Sequence, residues 1–94
     1  MILEIAILNL KPNQRESFET AFVQAVPIVQ AAKGYISHEL QHCIETPDRY
    51  VLLIKWHTLE DHETGFRGSA AYQDWRARLH HYYESFLVEH YQAL

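Results

Sequence analysis

The chain opens on a run of nine residues, ILEIAILNL over 2–10, in which apolar side chains occupy both alternating sets of positions. Because successive side chains of a strand point to opposite faces, this run predicts a first strand that is buried on both sides. Lys11-Pro12-Asn13 breaks the strand, and Asn13 with Glu16 three residues later is typical of a helix N-terminus. We therefore expect a strand over 2–10 and, directly after it, a helix capped by Asn13.

Apolar residues at helical spacing follow this start signal and predict a helix over 14–32. They are Phe18, Ala21, Phe22, Ala25, Val29 and Ala32. Pro27 lies inside the pattern and has no backbone N–H to donate, so we expect a kink there. Gly34 is a suitable stop signal, since glycine readily adopts the backbone conformation that ends helices.

Two further strands are predicted, joined by a tight connection. Residues 35–45, YISHELQHCIE, and residues 49–57, RYVLLIKWH, both have the composition of strands. Thr46-Pro47-Asp48 stands between them and consists of residue types that favour turns. These features predict an antiparallel hairpin.

Two hydroxyl side chains mark predicted helix starts in the second half of the chain. Thr58 is suited to cap a short helix with Asp61 in its first turn. Ser69 is suited to cap a longer helix over about 70–84. The last element is a short strand over 86–92, FLVEHYQ.

The resulting order, β-α-β-β-α-β over a single domain of residues 1–94, is that of the ferredoxin-like α+β fold. Such a fold has a four-stranded antiparallel sheet with both helices on one face, and the other face is polar in a monomer. Here the first and third strands are apolar on both faces. Leu3, Ile5 and Ile7 oppose Ile2, Ala6 and Leu8, and Val51 and Leu53 oppose Leu52 and Ile54. We therefore expect a homodimer whose two sheets cover each other through their open faces.

Charge and composition exclude several classes of partner. The net charge is −4, and eight lysines and arginines are spread thinly, so no basic stripe is available for nucleic acid. Cys43 is the single cysteine, as in proteins of a reducing compartment. No apolar stretch reaches the ~20 residues of a membrane helix, and the first strand, which Glu4 interrupts, lacks the features of a signal peptide. We expect a cytoplasmic protein with no membrane partner.

Seven histidines raise the question of a metal site. His38 and His42 share one face of a strand but lie ~13 Å apart along it, too far to bind one ion together. His80 and His81 are adjacent on a predicted helix and diverge by about 100°. Since ligand spacing rather than ligand number makes such a site, we expect no bound metal.

Aromatic residues crowd the second half of the chain and indicate either core packing or the walls of a small-molecule pocket. Near them stand Trp56, the proton carrier His62 and Arg76, which can hold an anionic oxygen. His62 and Phe66 are four residues apart and can share a helix face, as can Tyr72 and Arg76. We predict Trp56, His62 and Arg76 as catalytic residues. Phe66 and Tyr72 are the predicted substrate-binding wall.

Several short motifs, in order, resemble the antibiotic biosynthesis monooxygenase family, whose members are dimeric α+β barrel proteins. The motifs are Lys11-Pro12-Asn13 before helix one, Gly34-Tyr35, Pro47-Asp48-Arg49-Tyr50, and Trp56 followed by Leu59-Glu60-Asp61-His62. The resemblance covers nearly the whole chain. It implies the same fold and the same dimer as the pattern of apolar residues.

The resemblance also implies a chemistry. Enzymes of that family oxidise polycyclic phenols to quinones with O2 and without metal or flavin, so no cofactor is expected. Their pattern places a tryptophan at the end of strand three, a tyrosine six residues later and an arginine on helix two. Trp56 and Arg76 match the first and last of these, and His62 stands in place of the tyrosine. The family's asparagine four residues before the tryptophan is Leu52 here.

The leading hypothesis is therefore a cofactor-independent monooxygenase that acts with O2 on a small aromatic or enolic substrate. Two alternatives remain open. One is a non-catalytic protein that binds a small molecule. The other is an isomerase of the same fold in which His62 shuttles a proton.

Overall fold

Six regular elements and two short helical segments make up the computed structural model, which describes all 94 residues. The strands are β1 (Ile2–Leu10), β2 (Tyr35–His42), β3 (Arg49–Trp56) and β4 (Tyr83–Tyr91), and the helices are α1 (Arg15–Gln30) and α2 (Ala70–Leu79). A π-helix (Asp61–Phe66) precedes α2, and a 3-10 turn (His80–Tyr82) follows it. No helix combines the length and the apolar character needed to cross a membrane.

The four strands form one antiparallel sheet in the order β2-β3-β1-β4, so β1 lies in the interior between β3 and β4. The register pairs Glu4 of β1 with Ile54 on one side and with His90 on the other. Both helices cover the same face of the sheet. The predicted ferredoxin-like α+β fold is confirmed.

The core lies between the sheet and the helices and is rich in aromatic rings. The helix-facing residues of β1 and β3 are buried in strict alternation: Ala6, Leu8, Leu10, Tyr50, Leu52, Ile54 and Trp56. Phe18 of α1 is completely buried among other rings, 5.1 Å from Tyr50 between centroids. Phe22 reaches Trp75 of α2 at 6.0 Å and so joins the two helices. The apolar stripe predicted for α1 therefore faces this core.

The start of α1 differs from the prediction. Asn13 was expected as the cap, but its φ of 62° places it in the left-handed region, and Gln14 holds the cap position without a side-chain hydrogen bond. Asparagine tolerates this conformation better than most residues, so Asn13 serves the turn after Pro12 instead. The helix ends at Gln30, two residues before the predicted end, with Pro27 in its last turn.

The caps predicted for the second half are confirmed. The hydroxyl oxygen of Thr58 accepts a hydrogen bond from the N–H of Asp61, and that of Ser69 accepts one from Tyr72, both at 3.1 Å. The segment that Thr58 opens continues as the π-helix, whose wide turns the sequence pattern did not indicate. Wide turns of this kind are frequent at functional sites.

The boundary between α2 and β4 was predicted wrongly. The helix was expected over 70–84, but α2 ends at Leu79, and Tyr83 already belongs to β4. Tyr83 pairs with Leu10, and the N–H of Lys11 donates to the carbonyl of Tyr82 at 2.9 Å. Pairing with the end of β1 thus prevails over the local helical pattern, since tertiary contacts override propensity. The second strand is also shorter than predicted and ends at His42.

The face of the sheet away from the helices is apolar along its central strands. Ile5 and Ile7 of β1 and Leu53 of β3 are only partly covered by the chain itself, and Leu87 and Tyr91 of β4 are 54% and 49% exposed. We use the name open face for this surface, defined by Leu3, Ile5, Ile7, Val51, Leu53, Leu87 and Tyr91.

Gly34, just before β2, occupies a position that only glycine fits, so we expect Gly34→Ala to lower the free energy of unfolding by roughly 1–3 kcal/mol. Its φ is +84°, and an added methyl group would overlap the carboxylate of Asp61. The matched control is Gly65→Ala, where the nearest atom to the new methyl is the carbonyl oxygen of Glu60 at 3.6 Å. Urea denaturation of the two variants at one protein concentration compares their stabilities. Equal losses of stability would contradict the conclusion that only glycine fits at position 34.

Candidate active site

A cavity lies between the helix side of β1, β3 and β4 and the segment that runs from the π-helix into α2. Fourteen residues line it, ten of them hydrophobic. The polar lining residues are Glu4, His62, Arg67 and His80. The cavity has about 40 Å³ of enclosed free space, and about 440 Å³ when the space at its open mouth is included. The site is thus a largely apolar pocket with a few convergent polar groups, the usual form of a small-molecule site.

Glu4 is a buried carboxyl group in the wall of the cavity. The alternation of β1 turns its side chain toward the helices, where only 8% of it is exposed. The indole N–H of Trp56 donates to Glu4 Oε1 at 2.9 Å, and His62 Nε2 lies 3.3 Å from the same oxygen. A carboxyl group buried among apolar residues needs such partners, because an unpaired one would be strongly destabilising.

His62 is held between Glu4 and a second histidine. Its ring stacks on Trp56, with centroids 5.2 Å apart and planes inclined by 21°. Its Nδ1 lies 2.7 Å from Nε2 of His90, so one ring donates a proton to the other in a hydrogen bond. His90 Nδ1 in turn lies 3.8 Å from the carboxylate of Glu63, which is 48% exposed. A line of polar groups therefore runs from the cavity to the surface.

Burial changes the proton affinity of both groups at the centre. Desolvation raises the pKa of Glu4 from 4.5 to about 7, against the hydrogen bond from Trp56 and the charge of Arg67, which both lower it. Desolvation lowers the pKa of His62 from 6.5 to about 3, and Arg67 and His90 lower it further. Near neutral pH, His62 is therefore neutral, while Glu4 is present in both its protonated and its ionised form. Such a pair is suited to take a proton from an acidic O–H or C–H group.

The outer part of the cavity carries two more perturbed groups. Burial lowers the pKa of the His80 imidazole, and the charges of Arg76 and Arg67 lower it further. Burial raises the pKa of the Tyr83 phenol well above its usual value, with smaller contributions from Tyr72 and Glu4. Both side chains are thus uncharged at neutral pH, so Arg67 is the one permanent charge among the lining residues.

Four of the five predicted site residues come together. His62, Phe66 and Tyr72 line the cavity, and Trp56, which is completely buried, supports His62 from behind. Arg76 does not line it and is exposed on α2. The structure thus assembles the aromatic and histidine part of the predicted site around one cavity.

Arg76 lies outside because Trp75 takes the inward position on α2. The Trp75 ring packs against Phe66 and Phe22, and the next residue of a helix points about 100° away. Arg67, at the end of the π-helix, lines the cavity in its place. The catalytic role predicted for Arg76 stays a prediction.

Four polar groups of the site were missed: Glu4, Arg67, His80 and His90. Glu4 did leave a signal, because it is the one charge in the apolar run of β1 and has the same parity as Ala6 and Leu8. His90 left none, since its proximity to Glu4 depends on how β4 pairs with β1.

Histidines elsewhere are used in separate hydrogen bonds. His38 Nδ1 lies 2.6 Å from the hydroxyl of Tyr35, and His42 Nε2 lies 2.6 Å from the carbonyl oxygen of Pro47. No group of three or more histidine, cysteine, aspartate or glutamate side chains is arranged to hold a metal ion.

The raised pKa of Glu4 predicts how Glu4→Gln changes the dependence of stability on pH. A folded protein that favours the protonated carboxyl binds more protons than the unfolded chain between pH 4.5 and about 7, so Glu4 destabilises the wild type progressively over that window. We expect the free energy of unfolding of Glu4→Gln to rise by about 3 kcal/mol relative to that of the wild type as the pH increases from 4.5 to about 7.

Urea denaturation of both proteins from pH 4 to pH 8 measures this difference. The difference is the informative quantity because His62 acts in the opposite direction in both proteins: its lowered pKa costs stability as the pH falls from 6.5 toward 3. A difference between the two proteins that does not change with pH would contradict the buried, protonated state of Glu4.

Comparison with known proteins places this chain in a family. The family model for antibiotic biosynthesis monooxygenase matches residues 1–78. The uncharacterized protein YczJ of Bacillus subtilis (strain 168) is 50% identical over 93 residues, which cover 98% of each chain.

Solved structures agree with this assignment. A Bordetella bronchiseptica protein, provisionally assigned as an antibiotic biosynthesis monooxygenase, is 34% identical with a TM-score of 0.95, over 99% of this chain and 96% of that one. SnoaB, a cofactor-independent oxygenase from Streptomyces nogalater, shares the fold with a TM-score of 0.79 at 15% identity, over 98% of this chain and 91% of its own. The chain belongs to the antibiotic biosynthesis monooxygenase family.

Proposed function

We propose that this protein is a cofactor-independent monooxygenase that uses O2 to oxidise a small aromatic or enolic compound. Membership of the family supports this proposal, as does the fold shared with SnoaB, itself a cofactor-independent oxygenase. The observation that carries it is the buried pair of Glu4 and His62, which opens onto a cavity with aromatic walls. Such a pair removes a proton, and a phenol or enol that has lost its proton is the form able to give electrons to O2.

The reaction balances without a cofactor when the substrate has an oxidisable CH2 next to its acidic centre. One oxygen atom of O2 becomes the new carbonyl oxygen, and the other leaves as water with both hydrogens of the CH2. The four electrons that reduce O2 come from the substrate. The protein therefore has to bind the substrate, take its first proton and keep bulk water away from the anion.

Each predicted side chain has a role in this scheme. His62, neutral at working pH and in contact with Glu4, is the proton carrier. Trp56 holds the ring of His62 in place by stacking and holds Glu4 by its indole hydrogen bond. Phe66 and Tyr72, with ring centroids 5.5 Å apart, form the wall against which an aromatic substrate stacks.

The anionic oxygen of the substrate needs a cationic partner. The family pattern assigns this role to Arg76, whose charge reaches the outer part of the cavity at His80. Arg67 lines the cavity and is the better-placed guanidinium. We propose that Arg67 pairs with the oxyanion inside the cavity and that Arg76 attracts the substrate to its mouth.

The size of the cavity limits the substrate to a small compound. About 40 Å³ of enclosed space holds O2 or water, so most of a substrate has to lie at the open mouth of the cavity. An aromatic ring therefore binds at the mouth, where Phe86 is 48% exposed, with its reacting edge turned toward Glu4. Leu52, at the place of the family's asparagine, contributes only apolar wall, so Glu4 supplies the polar contact at this depth.

The same pair of groups also suits an isomerase, because moving a proton between carbon and oxygen needs no O2. Anaerobic incubation in D2O separates the two functions. An isomerase exchanges the substrate's C–H for deuterium and forms an isomer without O2, whereas a monooxygenase consumes O2 and forms an oxidised product. A protein that only binds the compound does neither.

We expect the purified protein to consume O2 with anthrone-like or hydroquinone-like compounds, and His62→Ala to lower kcat/KM by roughly 10²-fold or more. Because His62 is buried and stacked on Trp56, its removal also costs stability, so rates are compared per folded molecule. His81→Ala is the matched control, since His81 is exposed and bonds only the carbonyl oxygen of Ala77. Equal activity of the two variants would remove His62 from the reaction.

We also propose that the protein is a homodimer joined through the open face. A monomer would leave Leu87 and Tyr91 about half exposed beside the partly covered Ile5 and Ile7. Polar residues flank this apolar centre: Glu39 and Gln41 on β2 face the same side as Leu53 and Val51 of β3. An apolar centre with a polar rim is the anatomy of a protein interface.

Light scattering tests the dimer, with an expected mass near twice 11.1 kDa at micromolar concentration. Ile5→Asp should break the dimer, because it buries an unpaired carboxylate at the centre of the interface, which costs several kcal/mol. Val23→Asp is the control, since Val23 lies on α1 and is 71% exposed. A well-folded monomer of the unmodified protein would refute the proposal.

A further inference from the structure

Four polar side chains follow one another from the cavity to the protein surface. Glu4 and His62 are 3.3 Å apart, His62 and His90 are 2.7 Å apart, and His90 and Glu63 are 3.8 Å apart. The side chains of Glu4 and His62 are only 8% and 4% exposed, and exposure then rises to 17% at His90 and 48% at Glu63. The line therefore joins a site closed to water with one that is open to it.

Three elements of the fold hold the line together. Glu4 and His90 are cross-strand partners on β1 and β4, so their side chains lie next to each other on the same face. The π-helix crosses above them and places His62 over Glu4 and Glu63 over the outer edge of His90. Trp56 and His62 satisfy Glu4, and His90 supplies the partner that the second ring nitrogen of the buried His62 needs. Glu63, which is half exposed, extends the line to the surface beyond what burial requires.

We propose that Glu4, His62, His90 and Glu63 form a proton relay that carries the proton of a phenolic or enolic substrate from the cavity to solvent. The relay rests on the proposed function, because it presumes a substrate that must lose a proton before it reacts. It assigns Glu4 as the group that takes the proton from the substrate and His90 as a positioning and transfer residue outside the cavity.

The transfer balances with one proton moved across each contact. The substrate O–H gives its proton to the Glu4 carboxylate and becomes an anion. The Glu4 carboxyl gives a proton to His62 Nε2, and His62 Nδ1 gives one to His90 Nε2. His90 Nδ1 gives one to a water molecule, because its 3.8 Å from the Glu63 carboxylate is beyond direct hydrogen-bond reach, and Glu63 takes it from that water or leaves it to the solvent. One proton reaches the solvent, and the protein gains none. The rings of His62 and His90 each change tautomer during the transfer and return to the first tautomer before the next one.

The pKa values of the site favour transfer of a proton along the relay over its retention on one group. The pKa of Glu4, about 7, lets it take and release a proton near neutral pH, whereas the pKa of His62, about 3, keeps the imidazolium form of His62 from accumulating. Other titratable or charged groups face the relay from the π-helix end, α2, the 3-10 turn and β4. They are Arg67, Tyr72, His80 and Tyr83, and Arg76 acts on His80 from outside the cavity. The charge of Arg67 acts on both Glu4 and His62: it favours the ionised carboxylate of Glu4 and opposes a positive charge on the ring of His62.

Kinetics of His90 variants test the transfer step. We expect His90→Ala to lower kcat roughly 10-fold or more with little change in KM, and added imidazole to restore part of the rate by taking the place of the lost ring. His90→Gln should stay slow, because its amide can hydrogen-bond to His62 but cannot pass a proton on. His81→Ala is the control. Unchanged kcat in His90→Ala, or activity restored in His90→Gln, would overturn the relay and leave a structural role.

The tautomer of His62 tests the relay in the resting protein, without any substrate. Selective ¹⁵N labelling of histidine, with the His62 signals assigned through His62→Ala, follows both ring nitrogens as Glu4 titrates. In a relay the proton of His62 moves from Nδ1 to Nε2 at the pH at which Glu4 ionises. A His62 tautomer that stays the same through that titration overturns the relay. If no test compound is turned over while the tautomer switches, the proposed monooxygenase function fails and the relay stands.

Discussion

The buried carboxyl group of Glu4 is the constraint on which the site depends. It lies on the interior strand β1, and its partners must come from other elements, because its own strand neighbours on the same face are apolar. Trp56 reaches it from the end of β3, and His62 reaches it from the π-helix. Meeting this one requirement fixes the indole orientation and the stacked imidazole, and with them the inner wall of the cavity.

The packing that stabilises the fold also sets the proton affinities of the two buried groups. The aromatic and aliphatic residues around Glu4 and His62 exclude water, which favours the uncharged form of both groups and brings the pKa of Glu4 close to neutral. The same packing would hold a substrate anion away from bulk water. The cost is a protein that is less stable at high pH than it would be without the carboxyl group, as is common where function needs a strained or polar interior.

Much of the fold could be predicted because local signals and the global topology agree. Thr58 and Ser69 cap the segments they were expected to cap, and β1 spans the predicted residues. The errors lie where a distant contact decides. Tyr83 is a strand residue because it pairs with Leu10, and no periodicity in its own neighbourhood records that pairing.

The sequence by itself determined the element order, the two apolar faces of the sheet and the aromatic and histidine residues of the site, because these follow from periodicity, capping and residue type. Only the tertiary structure decided that Glu4 contacts His62, that His90 continues the line, and that Arg67 rather than Arg76 lines the cavity. These facts depend on strand register, on the wide turn of the π-helix and on which side of α2 is filled by Trp75. A one-residue change in register would turn the Glu4 side chain from the cavity to the open face, and nothing in residue type alone excludes it.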